Sequence, residues 1–282
     1  MLRNKLIQAL LTACIALPMV SCSDNDDNNG YFGGETDDGI PTVDRVNPAQ
    51  VFTGRLPLSA AGMVISYNEN GLVKQITKRE SGENEIASFS YPSLSRTVSD
   101  SKLVRMDVVS GNERHQFNLR IGNLGFVEYA EETEYDGNKA EDTEYWWFEY
   151  SPEGHLLSID RTDEDRQHVE FSYLNHNITK MRLTNRGAED LETTLDYGAD
   201  PKSNIGGVMM FDEIFNTDLD EMEFAYYAGL LGKATADLPQ KATQRTGRHT
   251  EDVTFTWTLD QEGYPTTMSP SNEPFAYTFT WK

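Results

Sequence analysis

The 282-residue sequence predicts an all-β fold made of antiparallel hairpins, and three observations support this. First, one pattern of alternating strand, tight turn and returning strand occurs at residues 65–76, 148–159 and 171–181. Second, each of these turns has a Gly or Asn where the backbone needs a positive φ angle. Third, aromatic residues and Thr alternate through 253–259 and 275–281, which is typical of antiparallel strands with one face in water. We therefore expect an open or distorted barrel.

Further strands are indicated by the alternation of polar and apolar residues along the chain. They are expected at 58–65, 72–77, 86–91, 103–109, 115–121, 124–129 and 145–150. The last strand is the densest aromatic patch in the chain. Because neighbouring side chains on a strand point in opposite directions, its even-numbered and odd-numbered residues form two faces. One face carries Trp146, Phe148 and Tyr150, and the other carries Tyr145, Trp147 and Glu149.

A single segment, 218–231, has helical rather than strand periodicity. Its apolar residues recur three and four positions apart, Asp218 and Glu221 have the spacing of a capping box, and Gly232 is suited to end a helix. The apolar stripe is wide for a surface helix, so we expect the helix to pack against the concave side of the barrel or to plug it. The next segment, 240–248, is polar and is expected to be a loop.

The charge balance argues against two kinds of partner, nucleic acid and anionic membrane surfaces. The chain contains 46 acidic and 24 basic residues, which gives a formal net charge of −22. A protein that binds nucleic acid or an anionic membrane surface needs the opposite sign, because it must neutralise phosphate groups. We therefore expect neither partner, and we attribute the acidity to solubility.

The first 21 residues form a secretory signal, with a basic start and an apolar run from Leu6 to Val20. The run ends at Met19-Val20-Ser21-Cys22, which resembles the lipobox of bacterial lipoproteins, so we expect cleavage before Cys22 and its acylation. Cys14 also fits the motif loosely, but it would leave a shorter apolar region. With Cys14 removed, Cys22 is the only cysteine of the mature chain, and no intramolecular disulfide can form.

Residues 22–41 are expected to be a disordered tether, because they are acidic, Gly-rich and poor in large apolar residues. Ser23–Gly30 resembles the acidic signal that directs Bacteroidetes lipoproteins to the outer face of the outer membrane. The stretch 24–35 has some acidic positions of a calcium loop, but Asn29 stands where that loop needs Gly, so no calcium site is assigned. The chain is thus divided into a signal peptide (1–21), the tether (22–41) and a single antiparallel β domain (42–282).

Three motifs near the C-terminus point to a known family. They are Leu230-Leu231-Gly232-Lys233 with Leu238-Pro239, Phe255-Thr256-Trp257 with Asp260 and Gly263-Tyr264-Pro265, and Tyr277-Thr278-Phe279-Thr280-Trp281. Together they resemble the C-terminal signature of a Bacteroidetes lipoprotein family, domain of unknown function 4595, most strongly over residues 206–282. The resemblance implies a porin-like, all-antiparallel β fold, and no general activity is assigned to that family.

A porin-like fold does not by itself predict a pore. A strand that spans a membrane takes about 9–11 residues with an apolar outer face, whereas the run 275–281 has seven. A chain with its own lipid anchor also needs no barrel to hold it at the membrane. We therefore expect a soluble barrel with aromatic residues on its concave side.

The sequence contains no phosphate-binding Gly loop, no nucleophile elbow and no zinc spacing of His and Cys. The five histidines are expected to be solvated in strands and turns; they are His115, His155, His168, His176 and His249. Carboxylates cluster at 131–136 and 160–165, and both clusters are expected to lie in solvated loops rather than to form a catalytic pair. No catalytic residue, metal ligand or cofactor is therefore assigned.

The aromatic patch at 145–150 is the best candidate for binding, because aromatic rings stack on sugars and line lipid pockets. Its even-numbered face is expected to be core. Tyr145 and Trp147 lie on the opposite face, where a large exposed aromatic residue needs a reason. The candidate ligand-binding residues are this pair together with Trp257, on the aromatic face of the strand 253–259, and Tyr227, on the predicted helix.

These observations favour a non-enzymatic lipoprotein on the cell surface that binds a small apolar or amphiphilic ligand, or a glycan, in its concave face. An alternative is a structural or interaction component of a surface uptake assembly, and a third is a carboxylate-dependent glycoside hydrolase. An open aromatic-lined cavity beside the helix 218–231 would favour the first, and a cavity filled by that helix would favour the second. Two carboxylates facing each other about 5–9 Å apart in a cleft would favour the third.

Overall fold

The computed structural model of the protein describes residues 45–80, 83–92, 103–162, 166–186 and 189–282. These residues belong to one compact unit, 39–282. The predicted signal peptide, the tether and Cys22 lie outside the described residues, and so does the stretch 163–165 of the second carboxylate cluster.

Antiparallel strands dominate this part of the chain. The strands are β1 (Pro57–Ala60), β2 (Met63–Tyr67), β3 (Val73–Glu80), β4 (Glu83–Ser90), β5 (Leu103–Ser110), β6 (Glu113–Ile121), β7 (Val127–Asp136), β8 (Lys139–Tyr150), β9 (Leu156–Arg161), β10 (Gln167–Leu174), β11 (Asn177–Asn185), β12 (Leu191–Asp196), β13 (Lys202–Ser203), β14 (Asp237–Leu238), β15 (Lys241–Thr246), β16 (His249–Leu259), β17 (Pro265–Pro270), β18 (Tyr277–Thr278) and β19 (Thr280–Trp281). Two short helices, α1 (Phe211–Phe215) and α2 (Met222–Tyr227), lie between β13 and β14. The all-β, hairpin-built fold predicted from the sequence is therefore confirmed.

All of these strands except β13 and β14 form a 17-stranded antiparallel sheet that closes almost completely into a barrel, and β13 and β14 pair with each other. From β1 through β12, consecutive strands pair with each other. The chain then leaves the sheet, and β12 pairs with β15. The C-terminal residues join the two edges, since Tyr277–Thr278 pairs with β17 and Thr280–Trp281 pairs with β1. Between these two pairings, the N–H of Phe279 donates to the carbonyl of Thr266.

The two faces of the sheet differ in polarity, as alternation along each strand requires. The buried face is apolar; on β5 and β6 it carries Val104, Met106, Val108, Phe117, Leu119 and Ile121. The residues between them point to the outside of the barrel, where Arg114 pairs with Asp107. On β11 and β12 the outer face likewise holds the ion pair of Lys180 with Glu192. The apolar face therefore lines the inside of the barrel.

The segment 197–240, between β12 and β15, fills the inside of the barrel and is called the plug segment. The apolar residues of both of its helices are buried. The Phe215 ring packs edge-on against Phe171 of β10, with ring centroids 5.9 Å apart, and the Phe215 carbonyl accepts a hydrogen bond from Thr193 of β12. On β7, the N–H of Val127 donates to the carbonyl of Leu230. The plug segment thus supplies the apolar surface that covers the concave face of the sheet.

The helical region is shorter than the sequence predicts. The helix expected over 218–231 is limited to Met222–Tyr227. At its start, Asp220 has a φ of 46°, and the Asp218 side chain accepts the N–H of Asp220 instead of capping the helix. Gly229, with a φ of 78°, turns the chain away soon after the last helical residue. Within the described ranges, no helix combines the length and the apolar composition that crossing a bilayer would require.

Two stretches that the sequence predicts to be loops are strands. Residues 240–248 contain β15, whose Ala242 is fully buried between β12 and β16. The acidic cluster 131–136 belongs to β7, and Glu132 in this strand is only 4% exposed. Both stretches are polar on their outer face, and this outer polarity hides the strand pattern. Conversely, the strand predicted over 275–281 is shorter in the structure, because only residues 277–281 are paired.

Two glycines allow the plug segment to meet the turn that follows β8. Gly154 and Gly232 have φ angles of 89° and 84°, which favour glycine. The N–H of Lys233 donates to the Gly154 carbonyl over 2.8 Å. A Cβ atom at Gly232 would lie 2.9 Å from that carbonyl oxygen and 3.0 Å from the ring of Tyr150. Position 232 therefore requires glycine for its backbone conformation and for the close contact.

We expect Gly232→Ala to destabilise the protein more than Gly62→Ala. Both glycines have a positive φ, which costs another residue about 1–3 kcal/mol. A Cβ atom at Gly62, however, would meet nothing within 4 Å. The difference between the two free energies of unfolding, measured by urea denaturation, therefore reports the steric cost at Gly232. Equal destabilisation would show that this close contact contributes nothing.

Candidate functional site

Three aromatic side chains lie together on the outer face of the sheet. Tyr129 of β7 packs against Tyr145 and Trp147 of β8, with ring centroids 6.2 and 5.8 Å away. Tyr145 remains 37% exposed and Trp147 remains 41% exposed. We call Tyr129, Tyr145 and Trp147 the outer aromatic cluster. Alternation along β8 predicts the shared face of Tyr145 and Trp147, and the pairing of β7 with β8 adds Tyr129.

The register of four strands sets the polar neighbours of this cluster. Tyr129 lies directly opposite Trp147, and the same row continues to Arg120 on β6 and to Asp160 on β9. The Arg120 guanidinium lies 5.3 Å from the centroid of the Tyr129 ring, which is a cation–π distance. Asp160 is hydrogen-bonded to Nδ1 of His168 at 2.9 Å. The exposed rings are therefore flanked by a cation on one side and by an acid on the other.

The other two aromatic residues assigned from the sequence are core residues. Trp257 is 5% exposed, and its Nε1 donates to the carbonyl of Pro239 at 2.7 Å. Tyr227 is fully buried, and its hydroxyl donates to the carbonyl of Met209 at 2.6 Å. The assignment of Trp257 and Tyr227 as ligand-binding residues is therefore corrected, because the plug segment already occupies the space on the concave side.

Charged side chains join residues 218–221, called the tip of the plug segment, to the barrel wall. His115 of β6 is hydrogen-bonded through Nδ1 to Oε1 of Glu132 at 2.9 Å, and its Nε2 lies 3.4 Å from Oε1 of Glu221 in the plug segment. The second carboxylate oxygen of Glu132 accepts a hydrogen bond from Nε1 of Trp146 at 2.8 Å. The buried carboxylate of Glu132 thus fixes the orientation of the imidazole toward the plug segment.

Arg161 makes a second connection beside the first. Its guanidinium pairs with Glu144 of β8 and with Asp220 of the plug segment. It also lies over the ring of Trp146, 4.4 Å from the centroid. We call the six ionisable residues of these two connections the inner ion network; they are His115, Glu132, Glu144, Arg161, Asp220 and Glu221. Long-range pairing assembles this network, since its members come from four strands and the plug segment.

Burial and charge shift the pKa values of this network. Burial alone would lower the pKa of His115, but the hydrogen bond to Glu132 and the charge of Glu221 outweigh it and raise that pKa to about 9. Burial raises the pKa of Glu221 to about 7, although the charge of His115 acts in the opposite direction. The imidazole is therefore protonated at neutral pH and shared between two carboxylates.

Sequence reasoning misses His115 and Glu132, although the alternation along their strands contains a signal. His115 has the same parity as Phe117 and Leu119, which predicts that it points inward. Glu132 has the same parity as the buried Ala130. An inward-facing charged residue on a strand needs a partner inside, and this requirement could have indicated the network.

The arrangement of His115, Glu132 and Glu221 favours an ion network over a metal site. These residues each bring one ligand atom to within 4.8 Å of the others. Both imidazole nitrogens already face carboxylates, and the raised pKa of His115 favours a proton over a metal ion. Glu132 is only 4% exposed and both acids contact the imidazole, so Glu132 and Glu221 do not form a carboxylate pair across an open cleft.

A small acidic cavity of ≈ 210 Å³ lies at the tip of the plug segment. Its charged lining residues are Lys78, Glu85, Asp212, Asp218, Asp220, Glu221 and Glu223. Burial is the main cause that raises the pKa of Glu223, and the nearby Glu213 acts in the same direction. The cavity is polar and smaller than common ligand pockets, which start at about 300 Å³. It is therefore unsuited to an apolar ligand.

We expect the protein to lose stability as the pH rises from 6.5 to 9. The pKa of His115 is 6.5 in an unfolded chain and about 9 in the fold, so the folded state holds this proton more tightly. The resulting stabilisation is complete below pH 6.5 and is lost as the pH rises through 9. A shift of this size corresponds to about 3 kcal/mol. Free energies of unfolding, measured by urea denaturation across this range, test the expectation.

His115→Gln should reduce this pH dependence, chiefly above pH 8, because the raised pKa values of Glu221 and Glu223 also lower the stability as the pH rises to about 8. His168→Gln is the matched control. His168 also pairs with a carboxylate, but it is exposed on the outer face of the sheet. The control variant should therefore keep the pH dependence of the unmodified protein. A His115→Gln variant with an unchanged slope between pH 6.5 and 9 would rule out the inner ion network as its source.

Comparison with known proteins supports the fold and gives no activity. A family model described as a domain of unknown function (DUF4595) with porin-like fold matches residues 124–267, which is slightly more than half of the chain. No curated protein matches the sequence. The match includes β7 and the hairpins after it, so the likeness begins earlier in the chain than the C-terminal motifs at 206–282 suggest.

Two solved structures are similar to this chain. A porin-like protein from Bacteroides uniformis matches with a TM-score of 0.56 and 14% identity, over 78% of this chain and 90% of that one. A porin-like protein from Bacteroides vulgatus matches with a TM-score of 0.48 and 12% identity, over 81% of this chain and 97% of that one. At 14% identity the first likeness supports the fold alone. With the family match over half of its length, the chain belongs to the DUF4595 family, a family of unknown function with a porin-like fold.

Proposed function

We propose that the protein is a non-enzymatic binding protein, anchored through Cys22 to the outer membrane at the cell surface, that recognises a glycan through the outer aromatic cluster. One observation carries this proposal: Tyr129, Tyr145 and Trp147 are side by side on the outer face of the sheet, and two of them are more than one third exposed. Exposed aromatic residues that are grouped in this way mark interaction sites.

The chemistry of the cluster suits a sugar better than a lipid. The C–H groups on one face of a sugar ring are apolar and pack against aromatic rings. The hydroxyl groups at the edge of the sugar need hydrogen-bond partners, and Arg120 and Asp160 flank the rings in the same row. A lipid chain would instead require a continuous apolar channel, and the charged residues beside the rings interrupt the apolar surface.

The filled barrel supports a site outside the barrel rather than in its concave face. The plug segment occupies the concave side, and Trp257 and Tyr227 are packed within it. The acidic cavity at the plug tip offers a lipid no apolar surface of useful size. For these reasons we replace the expectation of a ligand in the concave face with recognition on the outer face, and we do not propose an apolar ligand.

Attachment to the membrane is proposed to come from the lipid anchor and not from the outer surface of the barrel. Ion pairs such as Arg182 with Asp190 and Lys241 with Asp252 lie on the outer face of the strands. Charged residues at such positions are costly in the hydrocarbon core of a bilayer, by about 2–4 kcal/mol for Arg or Lys. This surface is suited to water.

A second candidate function is a structural or interaction component of a surface uptake assembly. The filled interior favours it, because such a component needs no pocket for a small molecule. In this case the outer aromatic cluster would contact a partner protein instead of a glycan. Glycan arrays separate the two candidates, since a protein contact would give no signal on immobilised sugars.

The glycan proposal is tested with the mature chain made soluble by Cys22→Ser and applied to a glycan array. We expect binding to a defined set of glycans, and Trp147→Ala should weaken it by about fivefold or more, since a stacked ring contributes about 1 kcal/mol or more. Leu174→Ala is the matched control, because Leu174 is a large apolar residue that is also exposed, on β10. An array without binding, or equal weakening by both variants, would contradict the proposal.

The lipid anchor is tested by metabolic labelling with an alkyne-tagged fatty acid in a bacterial host that processes lipoproteins. We expect the protein to take up the label, and Cys22→Ser should abolish the labelling because this removes the acylated residue. Cys14→Ser, the matched control, should keep the label, since Cys14 lies inside the expected signal peptide. Loss of label only in the Cys14 variant would show that Cys14, and not Cys22, is the acylated residue.

A further inference from the structure

A second cavity, of ≈ 330 Å³, lies beside the turn that follows β8. Its walls come from three parts of the chain: the residues 49–53 before β1, His155 after the turn, and both ends of the plug segment at 204–207 and 233–236. The cavity is distinct from the outer aromatic cluster and from the acidic cavity at the plug tip. Its volume is in the range of pockets that hold small molecules, about 300–1,000 Å³.

Close backbone contacts fix the walls of this cavity. Lys233 donates its N–H to Gly154 and forms a parallel bridge with His155, which joins the end of the plug segment to the turn. At the other wall, a Cβ atom on Gly207 would lie 2.7 Å from the carbonyl oxygen of Val51. The positions of His155 and Lys233 are therefore set by the fold.

Two polar side chains in the walls, Asn204 and Thr235, are already hydrogen-bonded within the fold. The Asn204 side chain bonds the carbonyl groups of Val208 and Thr235 and accepts the N–H of Val208. The hydroxyl of Thr235 is hydrogen-bonded to Tyr197 and Asn177. These two groups hold the walls together and have a structural role.

His155 differs, because part of its hydrogen-bonding capacity is unused. The sequence predicts it to be solvated after its turn, but it is only 9% exposed. Its Nε2 lies 3.1 Å from Nδ1 of His176, whereas its own Nδ1 is buried and has no hydrogen-bond partner. When His176 donates to Nε2, the Nδ1 of a neutral His155 carries the proton, and the backbone carbonyl of Lys233 acts on the imidazole as an acceptor. An unpartnered buried polar group of this kind calls for an explanation.

The ammonium group of Lys233 is also available. Within the part of the chain that the structure describes, it has no ion-pair or hydrogen-bond partner. Its charge acts on His155: burial, the charge of His176 and the charge of Lys233 lower the pKa of His155, although the backbone carbonyl of Lys233 acts in the opposite direction. Glu153 also acts on His155, but its carboxylate is hydrogen-bonded to Ser151 and is not in the lining.

The charge of the lining is opposite to that of the whole protein. The chain has a net charge of −22, yet the cavity is lined by one ammonium group and by no carboxylate. An anion that enters the cavity therefore meets a local positive charge beside the imidazole of His155. A carboxylate suits this lining, because it pairs with an ammonium group.

We propose that this cavity binds a small organic acid of about the size of a monosaccharide, with its carboxylate paired with the Lys233 ammonium beside the imidazole of His155. The proposal goes beyond the glycan proposal and does not depend on it. Neither Tyr145 nor Trp147 lines this cavity, so each proposal can fail while the other stands.

The test is isothermal titration of the mature chain, made soluble by Cys22→Ser, with three probes of similar size: glucuronate, glucose 6-phosphate and glucose. We expect glucuronate to bind with a millimolar or lower Kd and neutral glucose not to bind. Binding of both anions and not of glucose also supports an oxyanion site at this position. Binding of glucose as tight as that of glucuronate, or no binding of any probe at millimolar concentration, would overturn the proposal.

Two variants locate the site. Lys233→Met keeps the length of the side chain and removes its charge, and it should weaken glucuronate binding by about tenfold or more. Lys139→Met is the matched control, because Lys139 is exposed at the β7–β8 turn and its loss changes the net charge by the same amount. Equal weakening in both variants would assign the binding to general electrostatics and overturn the site.

A second measurement uses the unmodified sequence, so its result does not depend on whether a variant folds. In the unmodified sequence, glucuronate should shift the NMR resonances of the His155 imidazole and leave those of His249, which is exposed on β16, unchanged. Trp147→Ala should bind glucuronate as the unmodified chain does, which separates this site from the outer aromatic cluster. Unmoved His155 resonances at saturating glucuronate would overturn the proposal.

Discussion

The fold depends on one constraint: a sheet that curves almost into a closed barrel must have its apolar concave face covered. Alternation along the strands places apolar side chains such as Phe117 and Leu119 on that face, and exposing them to water would be costly. The 197–240 segment covers them from within, with both short helices buried. This requirement explains why the chain leaves the sheet after β12 and returns to it at β15.

Filling a barrel with a segment of the same chain has an electrostatic consequence. The tip of the plug segment carries Asp220 and Glu221, whose side chains are 37% and 16% exposed. Arg161 and His115 on the barrel wall compensate them, and Glu132 compensates His115 in turn. A buried network of this kind contributes little net stability, but it fixes the position of the segment, because removing one partner leaves another charge unpaired.

The filled interior also decides where recognition can take place. The concave face, where aromatic residues are expected to bind a ligand, is used for packing, and Trp257 and Tyr227 are hydrogen-bonded within it. What remains accessible includes the outer face, with Tyr145 and Trp147, and the cavity between the two chain ends of the plug segment. These two places differ in chemistry, since one offers flat aromatic rings and the other offers a single ammonium group beside an imidazole.

The sequence by itself determined the strand pattern, the two faces of β8 and the presence of a plugging segment, because alternation and turn residues act between near neighbours in the chain. Only the tertiary structure decided that Tyr129 joins Tyr145 and Trp147, that Glu132 lies inside and that β15 is a strand. Each of these depends on pairing between residues far apart in sequence. The helix expected over 218–231 shows the same limit: burial on all sides produces apolar spacing that resembles a long helix, while the positive φ at Asp220 and Gly229 ends it within two turns.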